Sequence, residues 1–190
     1  EEMRECMNSI KGISWERLLR ESAVTYPCAT EDDPGQAIIF GDGYPTASGR
    51  GKFVPAGIIP PDEQPDDAYP MILTTGRILE HWHTGAITRR ASVLDAIEPE
   101  AVCRMAPQDV RDLGLEGGDH VRVSTRRGTI ELAARIDAGV PVGTVFIPFA
   151  FTEAAANLLT NAALDPFGKI PEFKYCAAKI EKLEETVAAE

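Results

Sequence analysis

This sequence predicts a β-rich fold, a small barrel with short α-helical insertions. Three observations carry that reading. Short apolar or alternating runs recur through the second half of the chain. Gly- and Pro-rich turns separate them. The helix-like stretches between them are only one or two turns long.

Residues 1–21 read as helical, with Ser14 capping a helix that sets Trp15, Leu18 and Leu19 on one face. Residues 22–70 change character. Pro27, Pro34, Pro45, Pro55, Pro60, Pro61, Pro65 and Pro70 are interspersed with Gly35, Gly41, Gly43, Gly49, Gly51 and Gly57. Such density predicts an extended connector with few internal contacts and at most short strands at Ala37–Phe40 and Gly51–Val54. Asp62–Asp67 reads as a solvated acidic loop. The expected division is an N-terminal helix and connector over 1–68, then a compact domain over 69–190.

Within that domain, Met71–Thr75 is an apolar run that suits a buried strand. A loop follows, then a weak helix or turn at Ser92–Ile97 and a strand at Val102–Met105. Pro107–Leu113 reads as a short helix, with Pro107 at its first position and Gly114 just past its end. Gly117–Asp119 is a tight turn. His120–Thr125 alternates, with Val121 and Val123 pointing one way and His120, Arg122 and Ser124 the other. Arg126-Arg127-Gly128 suits a hairpin turn with a solvated charged tip and Gly128 at positive φ. Thr129–Ile136 is the return strand, Ala138–Gly143 a turn and Thr144–Ile147 a buried strand. Ala154–Thr160 has helix-forming residues, Asn161–Pro171 is loop, and Phe173–Ile180 is a last strand.

Composition narrows the function. The formal net charge is −11 and the pI is about 4.8. That argues against bulk binding to nucleic acid or to an anionic membrane, since both reward excess Lys and Arg. No apolar run approaches the roughly 20 residues that span a bilayer. The amino end lacks both a signal pattern and a Met at position 1, and reads as a cut inside a longer chain. Cys6, Cys28, Cys103 and Cys176 form no CxxC pair. They are expected to be reduced thiols, each a small buried apolar side chain, in a cytoplasmic protein.

The densest chemistry lies between Met71 and Arg90. After Gly76 come Arg77, His81, Trp82, His83, Thr84, Gly85, Thr88, Arg89 and Arg90, which include two of the chain's three histidines. Cationic and hydroxyl donors beside a glycine turn suit an anionic ligand rich in hydrogen-bonding groups. An extended His81-x-His83 would place both imidazoles on one face. No third ligand stands nearby, so no metal site is expected, and hydrogen bonds to a ligand are the better functional reading. Structural roles for both histidines remain open, as does a core role for Trp82 in place of stacking. No nucleophile, P-loop or zinc-protease motif is present, and no catalytic residue is assigned.

Several segments together resemble a known family. Leu73-Thr-Thr-Gly-Arg77, His81-Trp-His-Thr-Gly85 and Thr88-Arg-Arg90 look like the signature that opens the last domain of the formate dehydrogenase large (alpha) subunit, in the molybdopterin oxidoreductase superfamily. Met105–Gly128 resembles that superfamily's Pro-x-Asp…Leu-Gly…Gly-Asp…Arg-Gly run. Ala156-Asn-Leu-Leu-Thr160, Leu164-Asp-Pro166 and Lys169-Ile-Pro-Glu-Phe-Lys174 resemble its terminal block. Gly12–Arg17 and Pro45–Phe53 resemble the lead-in, so the likeness covers nearly the whole chain.

The resemblance implies a six-stranded double-psi β-barrel, like that of aspartate decarboxylase, which holds the guanine-dinucleotide arms of two molybdopterin cofactors. It further implies cofactor contacts from Thr75, Gly76, Arg77, His81, His83, Thr84, Gly85, Thr88, Arg89, Asn157 and Lys174. Arginines would meet pyrophosphate, and His81, His83 and Asn157 would read pterin or guanine edges. Ala86-Ile87 departs from the expected hydroxyl residue and Met, which removes one contact. The family's metal-binding Cys or selenocysteine, active-site Arg and four-cysteine iron–sulfur motif are not in this sequence. Molybdenum or tungsten would therefore be held elsewhere, and this chain alone is expected not to oxidise formate. Implied partners are the upstream domains of the same subunit and iron–sulfur or diaphorase-type electron-transfer subunits. The alternatives are a free-standing double-psi barrel subunit or interaction module, or the same domain of a sister oxidoreductase.

Overall fold

A computed structural model describes residues 1–184; residues 185–190 of the expected 69–190 domain lie outside the described residues. The chain divides into two compact units, Glu1–Ile58 and Ile59–Glu190.

The first unit holds α1 (Glu2–Cys6) and α2 (Trp15–Glu21). Ser14 caps α2 as its sequence position requires, accepting from the Arg17 main-chain N–H at 3.1 Å. The face of α2 is not the expected one. Trp15 and Leu19 are exposed, and Arg17 is buried instead. The reason lies in the chain that follows. The Arg17 guanidinium donates to the carbonyl oxygens of Gly12, Thr30 and Asp33 and contacts Cys28 Sγ, while Nε donates to Glu21. Buried carbonyls need donors, and an arginine fork supplies several at once. The stretch up to about residue 35 is therefore tethered by hydrogen bonds, with Cys28 fully buried and most of its neighbours exposed. Beyond it the strands expected at Ala37–Phe40 and Gly51–Val54 do not form. Phe40 stacks on Tyr44, and the Tyr44 N–H bonds to the Gly49 carbonyl across a turn.

The second unit is a closed six-stranded barrel. Its strands are β1 (Met71–Gly76), β2 (Val102–Met105), β3 (His120–Ser124), β4 (Thr129–Ile136), β5 (Thr144–Pro148) and β6 (Cys176–Lys182). The order around the barrel is β1-β5-β2-β4-β3-β6. β1 runs parallel to β5 and β2 parallel to β4, while the remaining pairs are antiparallel. This interleaving of two parallel pairs is the double-psi topology. Closure leaves no open sheet edge. Alternate residues fill the interior, among them Leu73, Met105, Val121, Val123, Val145 and Ile147. Cys103 lies there too, and burial pushes its thiol up to about 12, so it stays neutral. Of the thiols expected to be buried, Cys6 alone is exposed; all four are free.

Short helices α3 (Ser92–Ile97) and α4 (Pro107–Asp112) form where the sequence placed them, and Gly114 follows α4 at φ 64°. Ala154–Thr160 yields only a single tight turn at Ala156–Leu158, and the last strand begins at Cys176 rather than Phe173. No described helix is long and apolar enough to cross a membrane.

The β3–β4 hairpin differs from expectation in two ways. Gly128 is needed for close approach rather than for positive φ, since a Cβ there would lie 2.7 Å from the Leu158 carbonyl oxygen. The charged tip is clamped rather than free. Arg126 pairs with Glu63 and Asp66 and lies over the Tyr69 ring, while Arg127 pairs with Glu63 and donates to the Leu159 carbonyl. The acidic loop thus wraps the hairpin, and the compact unit begins ahead of Tyr69.

The loop after β5 closes on Asp165, whose carboxylate accepts the main-chain N–H groups of Phe167, Gly168 and Ile170. Bonds from Ile170 and Gly168 hold its pKa below the ordinary value. A depressed folded pKa means that the stabilisation is present above the unfolded value of about 3.9 and is lost as pH falls through the lower folded value. In an NMR pH titration the Gly168 and Ile170 amides should therefore shift with a midpoint below about 3.9. A midpoint above it would contradict the clasp.

Candidate functional site

Because β1 and β5 are parallel and pair Gly76 with Pro148, both strands leave the barrel at the same end. Arg77 and Phe149 follow directly. The Phe149 N–H bonds to the Gly76 carbonyl at 3.1 Å and ties the two exits together. Residues 171–174 pass beside them, fixed by a 2.8 Å bond from the buried Thr75 hydroxyl to the Phe173 carbonyl.

These segments enclose a hollow of 380 Å³. Arg77, His83, Thr84, Asn157 and Lys174 supply its polar groups, and Phe149 and Phe173 its aromatic walls, with Thr160 and Pro171 completing it. Lys174 Nζ donates to the Thr75 carbonyl at 2.5 Å and stands 5.5 and 5.3 Å from the Phe149 and Phe173 ring centres. Its ammonium is fixed before any ligand arrives. Arg77 is exposed, and its side chain makes no hydrogen bond or ion pair among the described residues. Asn157 projects from the turn at Ala156–Leu158. That turn is anchored by the Leu159 carbonyl, which accepts from Thr125 and Arg127. The set is thus two cations, two hydroxyls, an imidazole and a carboxamide around an aromatic floor.

The structure parts the two histidines that the sequence pairs. His83 sits at φ 52°, so the segment is not extended. Its ring packs on Phe149 at 5.3 Å within the hollow. His81 is instead fully buried behind the loop, with Nε2 2.7 Å from the Glu98 carbonyl and its ring edge-on to Phe151. It holds the loop to the barrel and does not face the hollow. Arg89 is likewise engaged. It pairs with Asp95 and Glu153, donates to the Pro99 carbonyl and covers Phe151 at 4.6 Å. Partial burial pushes the Glu153 carboxyl up, but its own main-chain N–H and Arg89 outweigh that and hold it below its ordinary value. Thr88 accepts from the Trp82 N–H through its hydroxyl, and Trp82 itself is exposed rather than plugged into the core.

The two glycines act as scaffold. Gly85 turns at φ 73° where a Cβ would come within 2.7 Å of the Ala150 carbonyl, and Gly76 lies against the Phe146 ring. Of the eleven residues implied by resemblance, five therefore line the hollow and the other six shape or brace its walls. Phe149, Thr160, Pro171 and Phe173 were not singled out. Aromatic residues next to strand ends are the only signal in the sequence that could have marked two of them. Among the described residues no cluster of three or more His, Cys, Asp or Glu could hold a metal ion.

Residues 71–177 match the Molydopterin dinucleotide binding domain, and the chain belongs to that family. It is 43% identical over 182 residues to the F420-dependent formate dehydrogenase subunit alpha of Methanocaldococcus jannaschii, covering 96% of this chain and 27% of that protein. It is 40% identical over 183 residues to the F420-dependent formate dehydrogenase 2 subunit alpha of Methanococcus maripaludis, with the same two coverages. The periplasmic nitrate reductase of Desulfovibrio desulfuricans is 32% identical over 186 residues, across 90% of this chain and 25% of its own length. The chain thus spans about a quarter of the relatives it matches. Among solved structures, acetylene hydratase from Pelobacter acetylenicus aligns over 61% of this chain and 19% of its own, with a TM-score of 0.55 and 24% identity, a likeness of fold.

Proposed function

We propose that this chain is the carboxy-terminal cofactor-binding domain of a formate dehydrogenase large subunit, and that the hollow at the exits of β1 and β5 is one wall of its molybdopterin guanine dinucleotide site. The observation that carries this is that Arg77, with no side-chain partner among the described residues, and a pre-fixed Lys174 ammonium share one hollow in a chain of this family. The donor set fits the group. Arg77 and Lys174 would meet pyrophosphate oxygens, with the Thr84 hydroxyl beside them. His83 and Asn157 carry both donors and acceptors, as pterin and guanine edges require. Phe149 and Phe173 exclude water from one side of the charges, which strengthens them.

When bound, the cofactor supplies redox chemistry at a molybdenum or tungsten centre held by other parts of the protein. This chain contributes grip and orientation. Formate, rather than the substrate of a sister enzyme, is favoured by 43% identity to formate dehydrogenase against 32% to nitrate reductase. The upstream domains of the same subunit and an electron-transfer subunit are the partners this reading requires, and the four free thiols fit a cytoplasmic setting.

The test is formate-dependent reduction of an artificial acceptor. The complete, metal-loaded protein that contains this chain should show it, and the purified chain without cofactor should not. Turnover by the purified chain, or a loaded protein that reduces nitrate and ignores formate, would overturn the proposal.

A further inference from the structure

Asn157 and Thr160 line one side of the hollow, and the chain between them is poorly equipped to hold itself. Ala156–Leu158 is a single tight turn, closed by main-chain bonds from Leu158 to Ala155 and from Leu159 to Ala156, each 3.0 Å. One turn fixes few torsions on its own. The Asn157 carboxamide makes no hydrogen bond among the described residues, so its aim is inherited from its backbone. Leu159 sinks its side chain fully into the core, which sets the depth of the segment. Its rotation is set from outside, at the Leu159 carbonyl.

That carbonyl accepts the Thr125 hydroxyl at 2.9 Å and two nitrogens of Arg127, Nη2 at 3.1 Å and Nε at 3.3 Å. Both donors come from the tip of the β3–β4 hairpin, and neither lines the hollow. The guanidinium is a rigid planar fork, and the third nitrogen of Arg127, Nη1, reaches Glu63 Oε2 at 2.6 Å. The other Glu63 oxygen takes Arg126. One half-buried carboxylate thus bridges two adjacent arginines and turns the Arg127 fork onto Leu159. The acidic loop that carries it is itself fixed. Asp66 pairs with Arg126 and accepts the main-chain N–H groups of Ala68 and Tyr69.

We propose that Arg127, oriented by Glu63, is a positioning residue for this hollow. It holds the Asn157 carboxamide at the angle that meets the heterocyclic edge of the ligand, and touches no ligand itself. The phosphate side does not share this support, since Lys174 is fixed by the Thr75 carbonyl and Arg77 follows directly from β1. The identity of the ligand rests on the cofactor reading above; the placement of Asn157 can be measured with no ligand present.

The test is NMR on this chain, first alone, then titrated with guanosine diphosphate and separately with inorganic pyrophosphate. In the ligand-free chain Arg127→Gln should shift the Asn157 side-chain amide and the Thr160 N–H. It should weaken guanosine diphosphate roughly fivefold or more and leave pyrophosphate within about twofold. Arg127→Lys, which keeps one donor, should recover part of that loss, and Thr125→Val should act in the same direction. Arg122→Gln, which breaks an exposed pair with Glu131 on the same hairpin, should change neither ligand. A general loss of fold weakens both ligands alike, so the split is the mark of positioning. If Arg127→Gln does not fold, Glu63→Gln, which frees the fork and keeps every donor to Leu159, should give a smaller loss of the same kind. Unmoved Asn157 signals with unchanged affinity for guanosine diphosphate, or equal weakening of both ligands, would overturn the proposal. A parent chain that binds the two ligands equally would instead overturn the base contact of the cofactor reading, with the Asn157 shift in Arg127→Gln still upholding the positioning role.

Discussion

Replacing Phe151 with alanine should destabilise the barrel by about 3–5 kcal/mol, the usual cost of removing a fully buried phenyl ring. Phe151 is 1% exposed and belongs to the main core cluster. Its effect should reach beyond the core because two loop residues rest on it. His81 meets the ring edge-on at 5.5 Å with the planes at 90°, and the Arg89 guanidinium covers it at 4.6 Å. Such aromatic pairs add about 0.5–1.5 kcal/mol beyond the buried area. Without the ring, His81 keeps one bond to the Glu98 carbonyl, and Arg89 keeps its pairs with Asp95 and Glu153. The loop from 77 to 99 should loosen while the strands persist. Urea unfolding measures the first effect, and amide exchange across 81–90 the second. Phe151→Leu, which refills most of the volume, should recover more than half of the loss. A cost below about 1 kcal/mol for the alanine variant would mean that the ring is not the support described here.

The fold was legible where one side of the chain had to be buried. The alternation of His120–Ser124 points to a strand and the apolar run of Met71–Thr75 suits one, and the turns at Gly114 and Gly117–Asp119 punctuate the chain. Closure was not legible from periodicity. Which strands run parallel depends on how β1 meets β5 and β2 meets β4, contacts between residues far apart in sequence. Only the family resemblance supplied the double-psi arrangement. Arg17 misled for a related reason. Helical spacing turns Trp15 and Leu19 inward, but the carbonyls of Gly12, Thr30 and Asp33 draw in the arginine, and no local pattern announces them.

The site shows the same division. The cluster of donors after Gly76 was visible as composition, so Arg77, His83 and Thr84 could be named. Their neighbours His81 and Arg89 have the same chemistry and different jobs. A single positive φ at His83 parts two imidazoles that an extended chain would put on one face, and Glu153 claims Arg89 from across the fold. Lys174 enters through the family resemblance alone, with no local pattern to mark it. The two rings and the Thr75 carbonyl that fix it come from three separated segments.

The central claim is that these residues grip a cofactor and do no chemistry, and Arg77→Ala in the complete enzyme tests it most directly. Arg77 has no side-chain partner among the described residues, so its loss should leave stability within about 0.5 kcal/mol. It should remove a charge-assisted bond to phosphate, which typically costs about 1.5–3 kcal/mol, a roughly tenfold or greater loss of affinity. That interaction is equally present in ground and transition states, so turnover by each loaded site should persist. Metal content by mass spectrometry, set beside formate turnover per bound metal, separates the two. The account predicts metal occupancy well below that of the parent with turnover per metal within about twofold of it. Full occupancy with turnover lost would place Arg77 in the chemistry and contradict the account.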